Sequence, residues 1–131
     1  MRLHRAMLVA PLALMAAGCQ TWGPTWSEVS GARYNVAILN RQPAVIESID
    51  GHSSFPTRPI KIEPGHHEIT ITGVSQRPRP GGGELQKIAL DVEPCKLYYI
   101  NAQYASPVDV KYAPVIDYVD TIPGCRVPGN Q

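Results

Sequence analysis

The sequence predicts an all-β fold, a small antiparallel β-sandwich that follows an N-terminal export signal. Thirteen prolines and eleven glycines punctuate 131 residues, so the elements between them must be short. Apolar and polar residues alternate in several of these short runs, which is the period of strands with one buried face. No run after the first twenty residues has helical periodicity, and the length fits one small domain.

The N-terminal segment has the features of an export signal. Arg2 and Arg5 precede an apolar run over residues 6–17, which is too short to span a bilayer but suits a signal peptide. We predict that residues 1–18 are a signal peptide. The run ends in Ala16-Ala17-Gly18-Cys19, which resembles a bacterial lipobox, with Ala16 where leucine is usual. An ordinary signal peptidase site after Gly18 is the alternative.

The lipobox resemblance implies that Cys19 is lipidated, with palmitate among its acyl chains, and becomes the mature N-terminus. Gln20, rather than aspartate, implies sorting to the outer membrane of a Gram-negative bacterium, with the chain facing the periplasm. Three acyl chains would anchor the protein stably, because each buried methylene contributes about 0.8 kcal/mol. We expect a lipidated tether over residues 19–29 and the folded domain over residues 30–131.

The stretch from residue 58 to residue 72 predicts a β-hairpin around Pro64-Gly65. Ile60 and Ile62 on one arm and Ile69 and Ile71 on the other have the spacing to share one buried face. The polar residues between them then face solvent.

Further strands are predicted on both sides of this stretch. Residues 33–40 carry apolar side chains at both parities, which predicts a central strand covered on both faces, and Pro107 and Pro114 mark edge positions or breaks. The other predicted strands are residues 44–50, 85–92, 97–104, 108–112 and 115–119. Seven or eight short strands suit a small β-sandwich.

Two of the three cysteines are expected to form a disulfide. Export places the chain in an oxidising compartment, and a lipidated Cys19 leaves Cys95 and Cys125 as a pair. Their bridge would close a long loop and stabilise the fold by roughly 3.5 kcal/mol in the chain-entropy model.

A candidate contact surface lies on the predicted strand over residues 97–104. By parity Tyr99, Asn101 and Gln103 face outward, and an aromatic ring beside two amides suits a sugar or a peptide. Arg77 and Arg79, in a loop rich in glycine and proline, are candidates for an anionic glycan or a lipid headgroup. The alternatives without a ligand are that the residues on the strand line a solvated sheet face and that the two arginines lie at a solvated loop tip.

Reactive motifs are missing from the sequence. Adjacent residues on a strand point to opposite faces, so His66 and His67 do not readily share a metal ion. There is no Gly-x-Ser-x-Gly elbow and no phosphate loop, so we expect no enzyme, no metal and no cofactor. Without residues 1–18 the chain has ten basic and eleven acidic side chains, which gives no electrostatic case for nucleic acid.

Ile49-Asp50-Gly51, together with the stretch from Pro59 to His67, resembles the PEGA-type β-domain. The stretches from Cys95 to Ala102 and from Val115 to Cys125 are similar to a set of uncharacterised proteobacterial lipoproteins. The resemblance covers most of residues 30–125 and implies a prealbumin-like or immunoglobulin-like β-sandwich without established catalytic residues.

Together these expectations predict a non-catalytic outer-membrane lipoprotein. Its domain would be a structural or interaction module that binds a protein or a glycan of the cell envelope. The alternative is a periplasmic sensor of a metal or small ligand that uses surface histidines such as His52 and His66. A hydrolase is the third hypothesis.

Overall fold

A computed structural model describes residues 25–76 and 83–127, and it confirms the predicted all-β sandwich. No described residue is helical. The strands are β1 (Ser27–Ser30), β2 (Arg41–Gln42), β3 (Ala44–Ile49), β4 (Ile60–Ile62), β5 (Gly65–Gly73), β6 (Leu85–Val92), β7 (Lys96–Tyr104) and β8 (Tyr112–Thr121).

The larger sheet is organised around β7. β8 pairs with β7 antiparallel along one side. On the other side β1 pairs in parallel with the first half of β7, and β2 pairs antiparallel with the second half. β4 extends this sheet antiparallel beyond β1, while the smaller sheet is an antiparallel ladder in the order β3-β5-β6. Since β8 pairs only with β7, Pro114 lies on an edge strand, as predicted.

The core lies between the two sheets and is filled by alternate residues of each strand. Val29, Ile69, Ile71 and Ile100 are completely buried. Burying one such side chain contributes about 1.5–3 kcal/mol, so this layer is the main source of stability. Tyr98 also points inward, and its hydroxyl accepts a hydrogen bond from the backbone N–H of Glu93.

The hairpin predicted around Pro64-Gly65 is wrong in its pairing. β4, which carries Ile60 and Ile62, pairs with β1 in the larger sheet, whereas β5, which carries Ile69 and Ile71, pairs with β3 and β6 in the smaller one. All four isoleucines are buried in one core, so the shared buried face is confirmed. Alternation shows which face of a strand is buried but not which strand it pairs with. A hairpin and two consecutive strands of different sheets therefore give the same sequence pattern.

The central strand predicted over residues 33–40 is also wrong. The segment forms turns, and Val36 and Leu39 are 79% and 81% exposed. The side chain of Asn35 accepts a hydrogen bond from the Ala37 backbone N–H, and Asn40 has a φ of 60°. Asparagine favours both the side-chain-to-backbone hydrogen bond and the positive φ, so the segment forms turns although it is apolar.

The folded domain begins before the predicted boundary at residue 30. β1 starts at Ser27, inside the stretch assigned to the tether, and Ser27 and Val29 are completely buried. The Ser27 hydroxyl donates a hydrogen bond to the Glu93 carbonyl oxygen and accepts one from the Lys96 N–H. These bonds satisfy the buried hydroxyl, which explains how a serine occupies a core position.

A disulfide joins Cys95 to Cys125, as predicted, with a Cα–Cα distance of 5.5 Å. It lies at one end of the sandwich, where β7 begins and β8 ends, and we call this the disulfide end. The Trp26 carbonyl oxygen accepts a hydrogen bond from the Cys95 N–H, so the N-terminal part of the chain enters the domain here.

Candidate interaction surfaces

The predicted contact set on β7 is not a free surface. Tyr99 is 7% exposed and Asn101 is completely buried, because residues 31–42 fold back over this half of the larger sheet. The Asn101 side chain donates a hydrogen bond to the Gly31 carbonyl oxygen, and its own oxygen has no partner among the described residues. Parity assigned the face correctly, but it does not report what covers that face.

Gln103 holds the covering segment in place. Its side-chain oxygen accepts a hydrogen bond from Arg41 Nε at 2.8 Å, and its amide nitrogen donates to the Leu39 carbonyl oxygen at 2.9 Å. The side chain is half-buried. Gln103 therefore positions the turn over residues 36–39.

An ion pair between Arg41 and Asp117 fixes the same segment. The two side chains are 13% and 1% exposed, and the second carboxylate oxygen of Asp117 accepts the Asn35 backbone N–H. Removing one partner of such a pair strands a buried charge. In the sequence Asp117 is one acidic residue among several, and the bulge in β8 beside it, which lets it face residues 31–42, has no sequence signal of its own.

The end of the sandwich opposite the disulfide carries exposed apolar side chains. Here the end of β5 meets β7 and β8, since the nearest neighbours of Gly73 include Tyr104 and Tyr112. A small pocket between the surrounding loops is lined by residues of three segments, among them Asn40, Gln76 and Pro107. The exposed apolar residues on these loops and at the start of β6 include Val36, Leu39, Val74, Leu85 and Val108, and we call this region the apolar end.

The tyrosines beneath the apolar end are fixed by hydrogen bonds and burial. The Tyr112 hydroxyl lies 3.0 Å from the Ile71 carbonyl oxygen and 2.6 Å from that of Glu84. Burial raises the pKa of both Tyr104 and Tyr112, so both hydroxyls stay neutral at physiological pH. The apolar end thus rests on a rigid base.

A cleft of about 620 Å³ opens on the side of the sandwich between β3 and β4. Its wall carries His67, whose Nδ1 faces the Asp50 carboxylate at 2.5 Å and whose Nε2 faces the Glu63 carbonyl oxygen at 2.7 Å. The contact with the Glu63 carbonyl oxygen ties His67 to the Pro64-Gly65 turn. Both ring nitrogens are occupied, so neither points into the cleft as a base.

Asp50 is equally committed to structure. Its other carboxylate oxygen accepts the Glu68 backbone N–H at 2.8 Å. That hydrogen bond, and then the one to His67, holds the pKa of Asp50 below its ordinary value. Asp50 and His67 together tie the turn after β3 to the start of β5.

The remaining histidines do not assemble a metal centre in the part of the chain that the structure describes. His66 pairs with Asp91 on the solvent face of the smaller sheet, with side chains 69% and 89% exposed. His52 lies on the wall of the cleft. Among residues 25–76 and 83–127 there is no group of three or more histidine, cysteine or acidic side chains that could hold an ion.

Several predicted sites lie outside the described residues: the signal peptide over residues 1–18, Cys19, Arg77 and Arg79. Within residues 25–76 and 83–127, no helix has the length and apolar character needed to cross a membrane.

Comparison of the chain with protein-family models, with curated proteins and with solved structures gave no match. The resemblance to PEGA-type domains and to proteobacterial lipoproteins stays a prediction. The chemistry of the surfaces is therefore the basis for a functional proposal.

Proposed function

We propose that the protein is a non-catalytic lipoprotein of the Gram-negative outer membrane, anchored through Cys19 and facing the periplasm. Its β-sandwich is an interaction module that binds another envelope protein through the apolar end. The observation that carries this proposal is the position of the apolar end relative to the point where the N-terminal segment enters the domain.

The two ends are separated by the length of β7. Its nine residues, from Lys96 at the disulfide end to Tyr104 at the other, correspond to about 30 Å at the usual rise of a strand. Residue 25 lies at the disulfide end, six residues after the proposed lipid anchor. An anchor there leaves the apolar end directed away from the anchored membrane, where a periplasmic partner can reach it.

The turn over residues 36–39 is built as a rigid projection. Arg41, Asp117 and Gln103 fix its base, whereas Val36 and Leu39 expose most of their side chains. Ordering costs little free energy on binding when a loop is already held in one conformation. Apolar side chains presented in this way suit the central anchors of a protein interface.

The non-catalytic part of the proposal is supported by His67 and Asp50. Both side chains use their hydrogen-bonding groups on the backbone and on each other. A base needs a nitrogen that faces its substrate.

Site-specific photocrosslinking in the native envelope tests the interaction. A photoreactive amino acid at Leu39 is expected to give one discrete protein adduct, and the adduct is expected to disappear when Val36→Asp places a charge in the same interface. Lys87, whose side chain is 66% exposed on the smaller sheet, is the matched control position. Identical adducts from both positions, or none from Leu39, would contradict the proposal.

Metabolic labelling with radioactive palmitate tests the anchor separately. The wild-type chain is expected to carry label and to fractionate with the outer membrane, while Cys19→Ala is expected to lose the label. Unlabelled wild-type protein would exclude lipidation without excluding a partner at the apolar end.

A further inference from the structure

Residues 31–42 leave the part of the outer face of the larger sheet nearer the disulfide end partly exposed, and Arg33 of that segment lies at its edge, against Tyr118. Facing residues of four neighbouring strands form a row on it, in the order Lys61, Glu28, Leu97 and Asp120. Trp26 lies beside one end of this row and Tyr118 beside the other. We call these six residues the aromatic face.

Both rings of the aromatic face are held in fixed positions. Trp26 donates from its indole nitrogen to Glu28 at 3.3 Å, and the Lys61 ammonium lies 5.2 Å from its ring centroid. Tyr118 stacks on Tyr99 with ring centroids 4.1 Å apart. Trp26 and Tyr118 are each partly exposed, so each offers some ring surface to a ligand.

The spacing of the two rings favours an extended ligand. By the register of β1 with β7, Trp26 lies level with Cys95, whereas Tyr118 pairs with Tyr99, so two strand spacings of about 4.8 Å and four residues of about 3.3 Å each separate them. A distance of about 16 Å exceeds the width of one sugar ring or one side chain, and the half-buried Leu97 lies between the two rings.

The charges of this surface balance. Lys61 and Arg33 are opposed by Glu28 and Asp120, and the Arg33 guanidinium lies 5.8 Å from the Tyr118 ring centroid. A surface of zero net charge gives no attraction to nucleic acid or to anionic lipid. It offers hydrogen-bond donors and acceptors side by side, which is complementary to an uncharged chain rich in hydroxyl groups.

We propose that the aromatic face binds an uncharged oligosaccharide of several rings. The apolar C–H faces of two sugar rings pack on Trp26 and Tyr118, and their hydroxyl groups bond to Glu28, Asp120 and Lys61. This site is separate from the apolar end and does not depend on a protein partner there. The glycan contact expected for Tyr99, Asn101 and Gln103 is thereby moved to the partly exposed region of the same sheet face.

Titration of the full chain tests the proposal, with Cys19→Ala to prevent lipidation and Trp22→Phe so that Trp26 alone reports by fluorescence. The probes are chitohexaose and maltohexaose. At least one is expected to bind with a dissociation constant below about 1 mM and to shift the emission of Trp26. Tyr118→Ala and Glu28→Gln are each expected to weaken binding about tenfold.

Two controls separate binding from folding and from the other surface. Glu28→Gln changes one oxygen to an amide nitrogen, so its melting temperature is expected to stay close to that of the parent chain, and it remains informative if Tyr118→Ala fails to fold. Leu39→Ser, at the apolar end, is expected to leave glycan binding unchanged. Failure of both probes to bind at about 1 mM overturns the proposal. Binding that survives both variants of the aromatic face overturns it as well.

A different occupant would give its own result. If the probes fail and Trp26 is shielded from iodide quenching in the free chain, the face is covered by another part of the same chain. That outcome also overturns the proposal, and it leaves the photocrosslinking test at the apolar end unaffected.

Discussion

At the scale of single residues, the polar side chains that the structure buries decide where the chain covers itself. Asp117 draws residues 31–42 over β7 through Arg41 and the Asn35 N–H. Gln103 and Asn101 complete the same contact from the sheet. These side chains look in the sequence like a ligand surface, yet their partners are other parts of the chain.

Arg41→Ala is expected to destabilise the fold by about 3–5 kcal/mol, because it leaves the buried carboxylate of Asp117 without its counter-charge. Urea denaturation at neutral pH measures the change. Lys87→Ala is the control, since its ion pair with Glu68 is largely exposed and is worth about 0–1 kcal/mol. Equal losses in both variants would mean that Asp117 is not buried in solution.

Asp50 makes the stability of the fold depend on pH in the acid range. Its pKa is held below the ordinary value of 3.8, so the folded state binds this proton more weakly than the unfolded state. The contribution of Asp50 is therefore complete above pH 3.8 and is lost as the pH falls through the lower folded-state pKa. Melting temperatures between about pH 2 and pH 5 are expected to fall less steeply for Asp50→Asn than for the parent chain.

Asp91→Asn provides the control for this pH series, because the Asp91 side chain is 89% exposed. Its profile is expected to follow that of the parent chain. An Asp50→Asn profile that also follows the parent chain would exclude a stabilising role for the contacts of this carboxylate with Glu68 and His67.

At the scale of elements, periodicity predicted burial better than pairing. The alternating runs over residues 85–92 and 97–104 became β6 and β7 almost residue for residue. The four isoleucines around Pro64-Gly65 are all buried as expected, but β4 and β5 belong to different sheets. Pairing is set by contacts distant in the chain, such as β1 with β4, and a local pattern carries no information about them.

For residues 33–40 the sequence pattern predicted the wrong kind of element. Their apolar residues suggested a central strand, and the two asparagines at its ends, Asn35 and Asn40, were the overlooked turn signal. The aromatic face was missed for a related reason. Trp26 and Tyr118 stand 92 positions apart, and only the sheet brings their strands onto one surface.

Leu39→Ser is expected to change the free energy of unfolding by less than about 0.5 kcal/mol, because 81% of this side chain is already exposed. Ile71→Ala, at a completely buried position of β5, is expected to cost about 2–5 kcal/mol. Urea denaturation of both variants measures the difference. A large loss for Leu39→Ser would restore the original expectation of a buried central strand.

At the scale of the whole molecule, the disulfide compensates for a small core. The bridge spans a sequence separation of 30 and fastens the end of the chain beside Trp26. The pairing was predicted from the expected export and lipidation of Cys19, which left Cys95 and Cys125 as the remaining two cysteines. The conformation that brings them together required the whole sandwich.

Replacing both cysteines, as Cys95→Ala with Cys125→Ala, is expected to lower the free energy of unfolding by roughly 3.5 kcal/mol, because the unfolded chain regains the conformational freedom that the bridge removes. Urea denaturation of the oxidised chain, of the reduced chain and of the double variant measures it. The reduced chain and the variant are expected to agree, and a reduced chain as stable as the oxidised one would contradict the prediction.

The placement of β1 has a consequence for biogenesis. Ser27 and Lys96 are 69 positions apart, yet they share a hydrogen bond, and β1 lies between β4 and β7. β1, the first strand among the described residues, thus gains one neighbour when β4 follows it and the other only after β7 has been made. Such non-local pairing is slow to form, so the sandwich is complete only after β7 and β8 have been made. If the chain is exported as we propose, this topology delays folding until most of the chain has crossed the secretion channel.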